Sequence, residues 1–133
     1  MIVVDTHVLI WLSEGNTNLG LKTRALLDEA IKNNLLYVSA ISFWEIGMLL
    51  SKNRIELNLS LLEYKKSLFR SGLKELPLNS DIAIQAAELE GFHGDPADRI
   101  ITATMLHTGA LLCTADKGIL SWCSNSNTQD ARK

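Results

Sequence analysis

Four acids stand where carboxylates can be gathered: Asp5 closes "MIVVD", Glu45 ends "SFWE", Asp98 lies in "DPADR" and Asp116 in "CTADK". Oxygen-only donors of this kind suit a hard divalent ion such as Mg²⁺ or Mn²⁺ better than Zn²⁺. The other metal-binding residue types argue the same way, because His7, His93 and His107 show no ligand spacing and Cys113 and Cys123 form no C-x-x-C. Mg²⁺ keeps several of its waters and prefers one or two carboxylates plus the phosphate oxygens of a substrate, so the chemistry implied is phosphoester hydrolysis. Two carboxylates about 4 Å apart repel by about 4 kcal/mol at an effective dielectric of about 20. Four together would offset a large part of the roughly 5–15 kcal/mol that stabilises a small domain, unless they protonate or bind a cation.

Each acid also has an ordinary account when taken alone. Glu45 completes an S-x-x-E capping box, Asp98 is an N3 cap partner, and Asp5 and Asp116 are turn formers at strand ends. Asp95, just before Pro96, reads as the N-cap of the helix that carries Asp98. The case for a site rests on where the intervening elements place the four.

Those elements alternate. A buried strand at Ile2 to Val4 is followed by a short helix in "THVLIWL" and a loop marked by Gly15 and "GNTNLG". A helix from Lys22 to Ile31 leads to a strand around Leu35 to Val38. Ser39 or Ser42 caps the next helix, which ends near Asn53. A further helix spans Ser60 to Ser71, with Gly72 as its C′ residue. "LKELPL" is a short strand or an extended connection, "SDIAIQAAELEG" a helix, Pro96 to His107 a helix ended by Gly109, and "ALLCTA" a third clear strand. Thr128 to Ala131, in the polar tail "SNSNTQDARK", is an edge strand or a loose end. Strands alternating with helices of about 10–12 residues imply βαβ units and an α/β protein, a parallel sheet with helices on both faces. In such a sheet all strands end at one edge, where ligands bind. Asp5 and Asp116 directly follow strands, and Glu45 and Asp98 sit in the first turns of helices, so all four converge there.

Composition excludes several classes. With 133 residues, 47% hydrophobic, the chain has the size of one domain and can bury a core. No apolar run approaches the roughly 20 residues of a membrane span, and the N-terminus lacks a signal-peptide pattern, which points to the cytoplasm. The two cysteines read as reduced and structural. A net charge of −2 argues against a nucleic-acid partner only until four acids are assigned to a cation, which leaves the remaining surface slightly positive. Trp11, Phe43, Trp44 and Met48 read as core residues, with a dimer surface as the other reading.

The segments "VVDTHVLIWL", "VSAISFWEIGML", "HGDPADRIITATM" and "LLCTADKGIL" together resemble the PIN-domain ribonucleases, and within them the VapC-type toxins of prokaryotic toxin–antitoxin pairs. The resemblance runs from residue 2 to about 120. It implies a single PIN-like domain over residues 1–133, a three-layer α/β/α sandwich around a mainly parallel sheet. It further implies a Mg²⁺ or Mn²⁺ site and cleavage of RNA by a metal-activated water. Asp5, Glu45 and Asp98 would then hold the main ion, with Asp116 completing the site or helping to hold a second. A homodimer and a small antitoxin inserted into the acidic groove belong to the same expectation. Asp95 opens the family's D-P-x-D-R segment and is assigned to capping. Ala97 departs from the bulky apolar residue often found there, a change that affects packing. Arg99 pairs with an acid or faces phosphate. Lys52, Arg54 and Lys117 are further phosphate contacts to consider, and Thr6, His7, Ser39 and Thr114 are hydrogen-bond partners for the acids.

Three rivals can be weighed. A haloacid-dehalogenase-like phosphatase needs a second Asp two residues after the first, and position 7 is His. A dinucleotide-binding domain needs a G-x-G-x-x-G after the first strand, which is missing. The non-enzymatic rival is a PIN-fold module that binds RNA or protein without nuclease turnover.

Overall fold

The computed structural model describes residues 1–124 and 126–133; Asn125, within the polar tail, lies outside the described residues. The chain runs β1(Ile2–Val4), α1(Thr6–Glu14), α2(Leu21–Lys32), β2(Leu36–Ser39), α3(Ile41–Ser51), α4(Leu61–Arg70), β3(Lys74–Leu76), α5(Ser80–Ala87), α6(Pro96–Thr108), β4(Leu111–Thr114), α7(Lys117–Trp122) and β5(Thr128–Asp130). The five strands form one sheet in the order β3-β2-β1-β4-β5, every pair parallel. "LKELPL" is therefore a strand, and the tail supplies the opposite edge. No helix among the described residues is long and apolar enough to cross a membrane.

Period-2 alternation divides the core. Ile2, Val4, Leu36, Val38 and Cys113 face a layer containing α1, α2, α3 and α4, built on Val8, Leu9, Leu27, Ile46 and Tyr64. Val3, Tyr37 and Leu112 face the opposite layer, where α6 and α7 contribute Ile101, Met105 and Ile119. Helix α5 packs on α6 through Ile82, Ala86 and Ala103. The result is the α/β/α sandwich. Both cysteines are free and buried, and burial pushes the Cys113 thiol up to about 12.

Several local expectations change. The capping box at "SFWE" does not form. Ala40 enters α3 already in the αR conformation, so the helix begins earlier and Ser42 becomes its second residue, its hydroxyl turned inward to accept from Thr6 at 2.9 Å. Ser39 takes the amide of Ile41 at 3.2 Å, which makes it a helix-entry residue and not a partner of the acids. Helix α5 stops at Ala87 and does not run to Gly91. Between β4 and β5 a six-residue helix, α7, forms where none was expected. Trp11 and Phe43 pack half-buried against the core, but Trp44 is 54% and Met48 38% exposed, so the core reading fails for this pair.

Candidate active site

The chain lays β2 and β3 on one side of β1 and then crosses back to lay β4 and β5 on the other, so the strand order reverses between β1 and β4, and the site lies beyond their C-terminal ends. Asp5 follows β1 directly, caps α1 by accepting the Val8 amide at 2.9 Å, and accepts the Thr114 hydroxyl on its other oxygen. With 6% exposure and both oxygens engaged, this carboxylate is fixed in place. Burial raises its pKa, the hydrogen bonds from Thr114 and Val8 oppose that, and neighbouring Asp116 adds to the rise. Asp116 follows β4 and caps α7 by accepting the Ile119 amide at 2.8 Å, while its own amide donates to Thr114 Oγ1 at 3.0 Å. Thr114 thus ties the two strand-end acids together.

Glu45 comes from the first turns of α3 and Asp98 from the first turn of α6. Burial raises the pKa of Glu45, and the Thr6 hydroxyl beside it opposes the shift. That hydroxyl has one proton for two acceptors, Glu45 and Ser42, and the 2.9 Å bond to Ser42 is the better defined. Asp98 is pushed up to about 7, first by burial and then by Asp95, Asp116, Glu45 and Asp5 in turn. All four other carboxylates therefore act on Asp98. Asp95 caps α6 as expected, accepting the Asp98 amide at 2.8 Å, but it also belongs to the cluster: single oxygens of Glu45, Asp95 and Asp98 lie within 4.8 Å of one another.

The five carboxylates line one cavity of about 420 Å³, together with Thr6, His7, Trp11, Ala115, Lys117 and Arg132. Among the described residues the one ion pair within 4.0 Å is Lys66 with Glu63, neither of which lines this cavity, so no lysine, arginine or histidine among them neutralises the acids by direct contact. Crowded oxygen donors, of which Asp5 is buried and Glu45 and Asp98 half-buried, without a counter-charge are what a hard divalent cation fits. A broader depression of about 610 Å³ at α5 and α6, lined by Asp81, Glu88, Glu90 and His107, contains none of the five.

The basic residues sort differently from expectation. Arg99 neither pairs with an acid nor faces the cavity. Its guanidinium donates to the carbonyls of Ala86 (2.9 Å), Phe92 (2.8 Å), Leu89 (3.0 Å) and Ala87 (3.3 Å), gathering the end of α5 and the loop before α6. Lys52 and Arg54 line an adjoining cleft of about 290 Å³ with Trp44 and Met48, beyond Glu45 and Asp95. Lys117 does reach the acid cavity. Arg132, which carried no mark in the sequence, reaches it too, its guanidinium 5.6 Å from the centre of the Trp11 ring.

Residues 2–121 match the PIN domain family. Ribonuclease VapC22 of Mycobacterium tuberculosis (strain ATCC 25618 / H37Rv) is 31% identical over 121 residues, 90% of this chain and 90% of that protein. Among solved structures, a toxin–antitoxin complex from Klebsiella pneumoniae superposes with a TM-score of 0.64 at 19% identity, covering 97% of this chain and 96% of its counterpart. FitAB bound to an IR36 DNA fragment gives 0.65 at 21% identity over 100% and 96% of the two chains. FitAcB from Neisseria gonorrhoeae gives 0.60 at 23% over 93% and 94%.

Proposed function

This chain belongs to the PIN-domain family, and on that premise we propose that it is a divalent-metal-dependent endoribonuclease, the toxin of a toxin–antitoxin pair. The observation that carries the reading is the convergence of five carboxylates, unneutralised by any cation within 4.0 Å among the described residues, on one cavity at the switch point of the sheet. The likeness to a ribonuclease along nine-tenths of the chain supports RNA as the substrate class. The toxin–antitoxin assembly of the same fold supports an antitoxin as partner, and the cytoplasm is the compartment that goes with this reading.

Asp5, Glu45 and Asp98 are the residues to hold Mg²⁺ or Mn²⁺, with Asp116 completing the site and Asp95 close enough to take part. When bound, such an ion supplies Lewis acidity and makes water a nucleophile near neutral pH. The chain's own contribution is preorganisation. Thr114 and the α1 amide hold Asp5 in one orientation, and the α6 entrance holds Asp95 against Asp98, so the donors need not be ordered when substrate arrives. Hydrolysis by water leaves a 5′-phosphate and a 3′-hydroxyl.

The test is cleavage of an RNA panel by the purified, partner-free chain with Mg²⁺ or Mn²⁺ and then with excess EDTA. We expect cleavage with metal, its loss with EDTA, and its loss in Asp5→Asn and Asp98→Asn with circular dichroism unchanged. RNA binding without metal-dependent cleavage would favour the non-catalytic module, and full activity in both variants would refute the site. A homodimer is part of the same proposal. Exposed Trp44 and Met48 on α3 offer apolar surface for it, and sedimentation of the wild type against Trp44→Glu reads it out.

A further inference from the structure

We infer that Arg132 binds a phosphate of the RNA strand in the acid cavity, next to the one that is cut, and that the C-terminal segment exists in its observed place to present it. The inference rests on the nuclease reading for the identity of the strand, and on separate geometry for the rest. An acid cavity must admit a polyanion. A metal ion neutralises the scissile position, but the phosphates on either side need cations of their own.

Arg132 is built for that position. Its backbone is pinned on several sides: Ala131 is wholly buried and donates to the Thr114 carbonyl at 2.9 Å, and its own carbonyl accepts from Gly20 at 2.8 Å. The Lys133 carbonyl accepts from Thr23, and the Arg132 amide donates to Asp130 Oδ1 at 3.0 Å. Gly20 permits this approach, because a Cβ there would collide with the Lys133 carbonyl. The side chain is set as firmly. Nη1 donates to the carbonyl of Ala115, the residue between Thr114 and Asp116, and the guanidinium lies near the Trp11 ring, both within the wall of the cavity.

The charge is also unspent. The Arg132 guanidinium lies more than 4.0 Å from every carboxylate oxygen among the described residues, so it is not a counter-ion of the acids. Its other guanidinium N–H groups donate to no protein acceptor there, which leaves a planar fork open to a non-bridging phosphate oxygen pair. Lys117 shares the cavity, but among the described residues no hydrogen bond of its side chain fixes it.

The test compares wild type, Arg132→Ala, Arg132→Lys and Trp11→Leu in two assays, steady-state cleavage and binding of a fluorescein-labelled single-stranded RNA across a salt series. For Arg132→Ala we expect affinity and KM to worsen about 10- to 100-fold, with a smaller change in kcat, as for loss of one charge-assisted hydrogen bond. The slope of log affinity against log salt should shrink by about 0.7, one phosphate contact on a single strand. Arg132→Lys should keep the slope and lose part of the affinity. Trp11→Leu should keep the slope and weaken binding slightly. A merely structural role would leave the slope unchanged, and thermal unfolding of each variant separates that case. Unchanged affinity and slope in Arg132→Ala, or faster cleavage by it, would overturn the proposal. A wild type that binds RNA through Arg132 without cutting would sink the nuclease reading and leave the phosphate contact standing.

Discussion

At the scale of single residues, the hydroxyl of Thr114 has the largest leverage for its size. It donates to Asp5 and accepts the amide of Asp116, so one buried oxygen sets the relative position of two acids 111 positions apart in the chain. Thr114→Val keeps the shape, removes both bonds and leaves a buried carboxylate oxygen unsatisfied. We expect a loss of about 1–3 kcal/mol in urea unfolding and a roughly 10- to 100-fold loss of cleavage, with Thr114→Ser recovering most of both. Equal activity in the Val and Ser variants would show that Asp5 needs no such anchor. The acids themselves were legible in the sequence because carboxylates at strand ends and helix starts are marked by residue type. The partners of Arg99 and Arg132 were not. Both arginines bind backbone carbonyls, which every residue carries, so nothing in the sequence distinguishes the ones chosen.

At the scale of elements, the loop between α5 and α6 decides whether Asp95 and Asp98 reach the cavity at all. Arg99 draws four carbonyls from α5 and this loop onto one guanidinium, and this is why α5 ends at Ala87 where "SDIAIQAAELEG" by itself reads as helix to Gly91. Arg99→Ala should cost about 2–3 kcal/mol and increase amide exchange in residues 88–95 before the rest of the chain. Gly94 has a complementary role. A Cβ there would run into the Phe92 ring and come within 2.8 Å of the Asp98 Cβ, so Gly94→Ala should lower metal affinity by displacing Asp98 even if the fold survives. Isothermal titration with Mn²⁺ measures it, and wild-type affinity would count against the loop's role in positioning Asp98. Helix α7 escaped the sequence because six residues, "KGILSW", are too few to display a period. The exposed face of α3 escaped for the opposite reason. Phe43, Trp44, Ile46, Met48, Leu49 and Leu50 are apolar all round, and a helix without a polar face does not say which side is covered.

At the scale of the whole molecule, parallel strands and their common edge followed from the alternation of elements, while the order β3-β2-β1-β4-β5 did not, since pairing depends on contacts between segments far apart in the chain. What that order produces is a cluster of like charges with energetic consequences for the entire domain. In the metal-free chain, burial and four neighbouring carboxylates push Asp98 from its ordinary 3.8 to about 7, and Asp5 and Glu45 are raised as well. The folded state therefore holds these protons more tightly than the unfolded state does. The stability this contributes is fully present below about pH 4 and is lost as pH rises through about 7. With EDTA present, the unfolding midpoint should fall between mildly acidic and mildly alkaline pH. Asp98→Asn should flatten much of that decline. Mg²⁺ at about 100 times its dissociation constant should add about 2.7 kcal/mol, a rise on the order of 10 °C for a domain of this size, and more at alkaline than at acidic pH because protons compete for the same oxygens. A midpoint indifferent to both pH and Mg²⁺ would mean that the five carboxylates do not interact as their positions require.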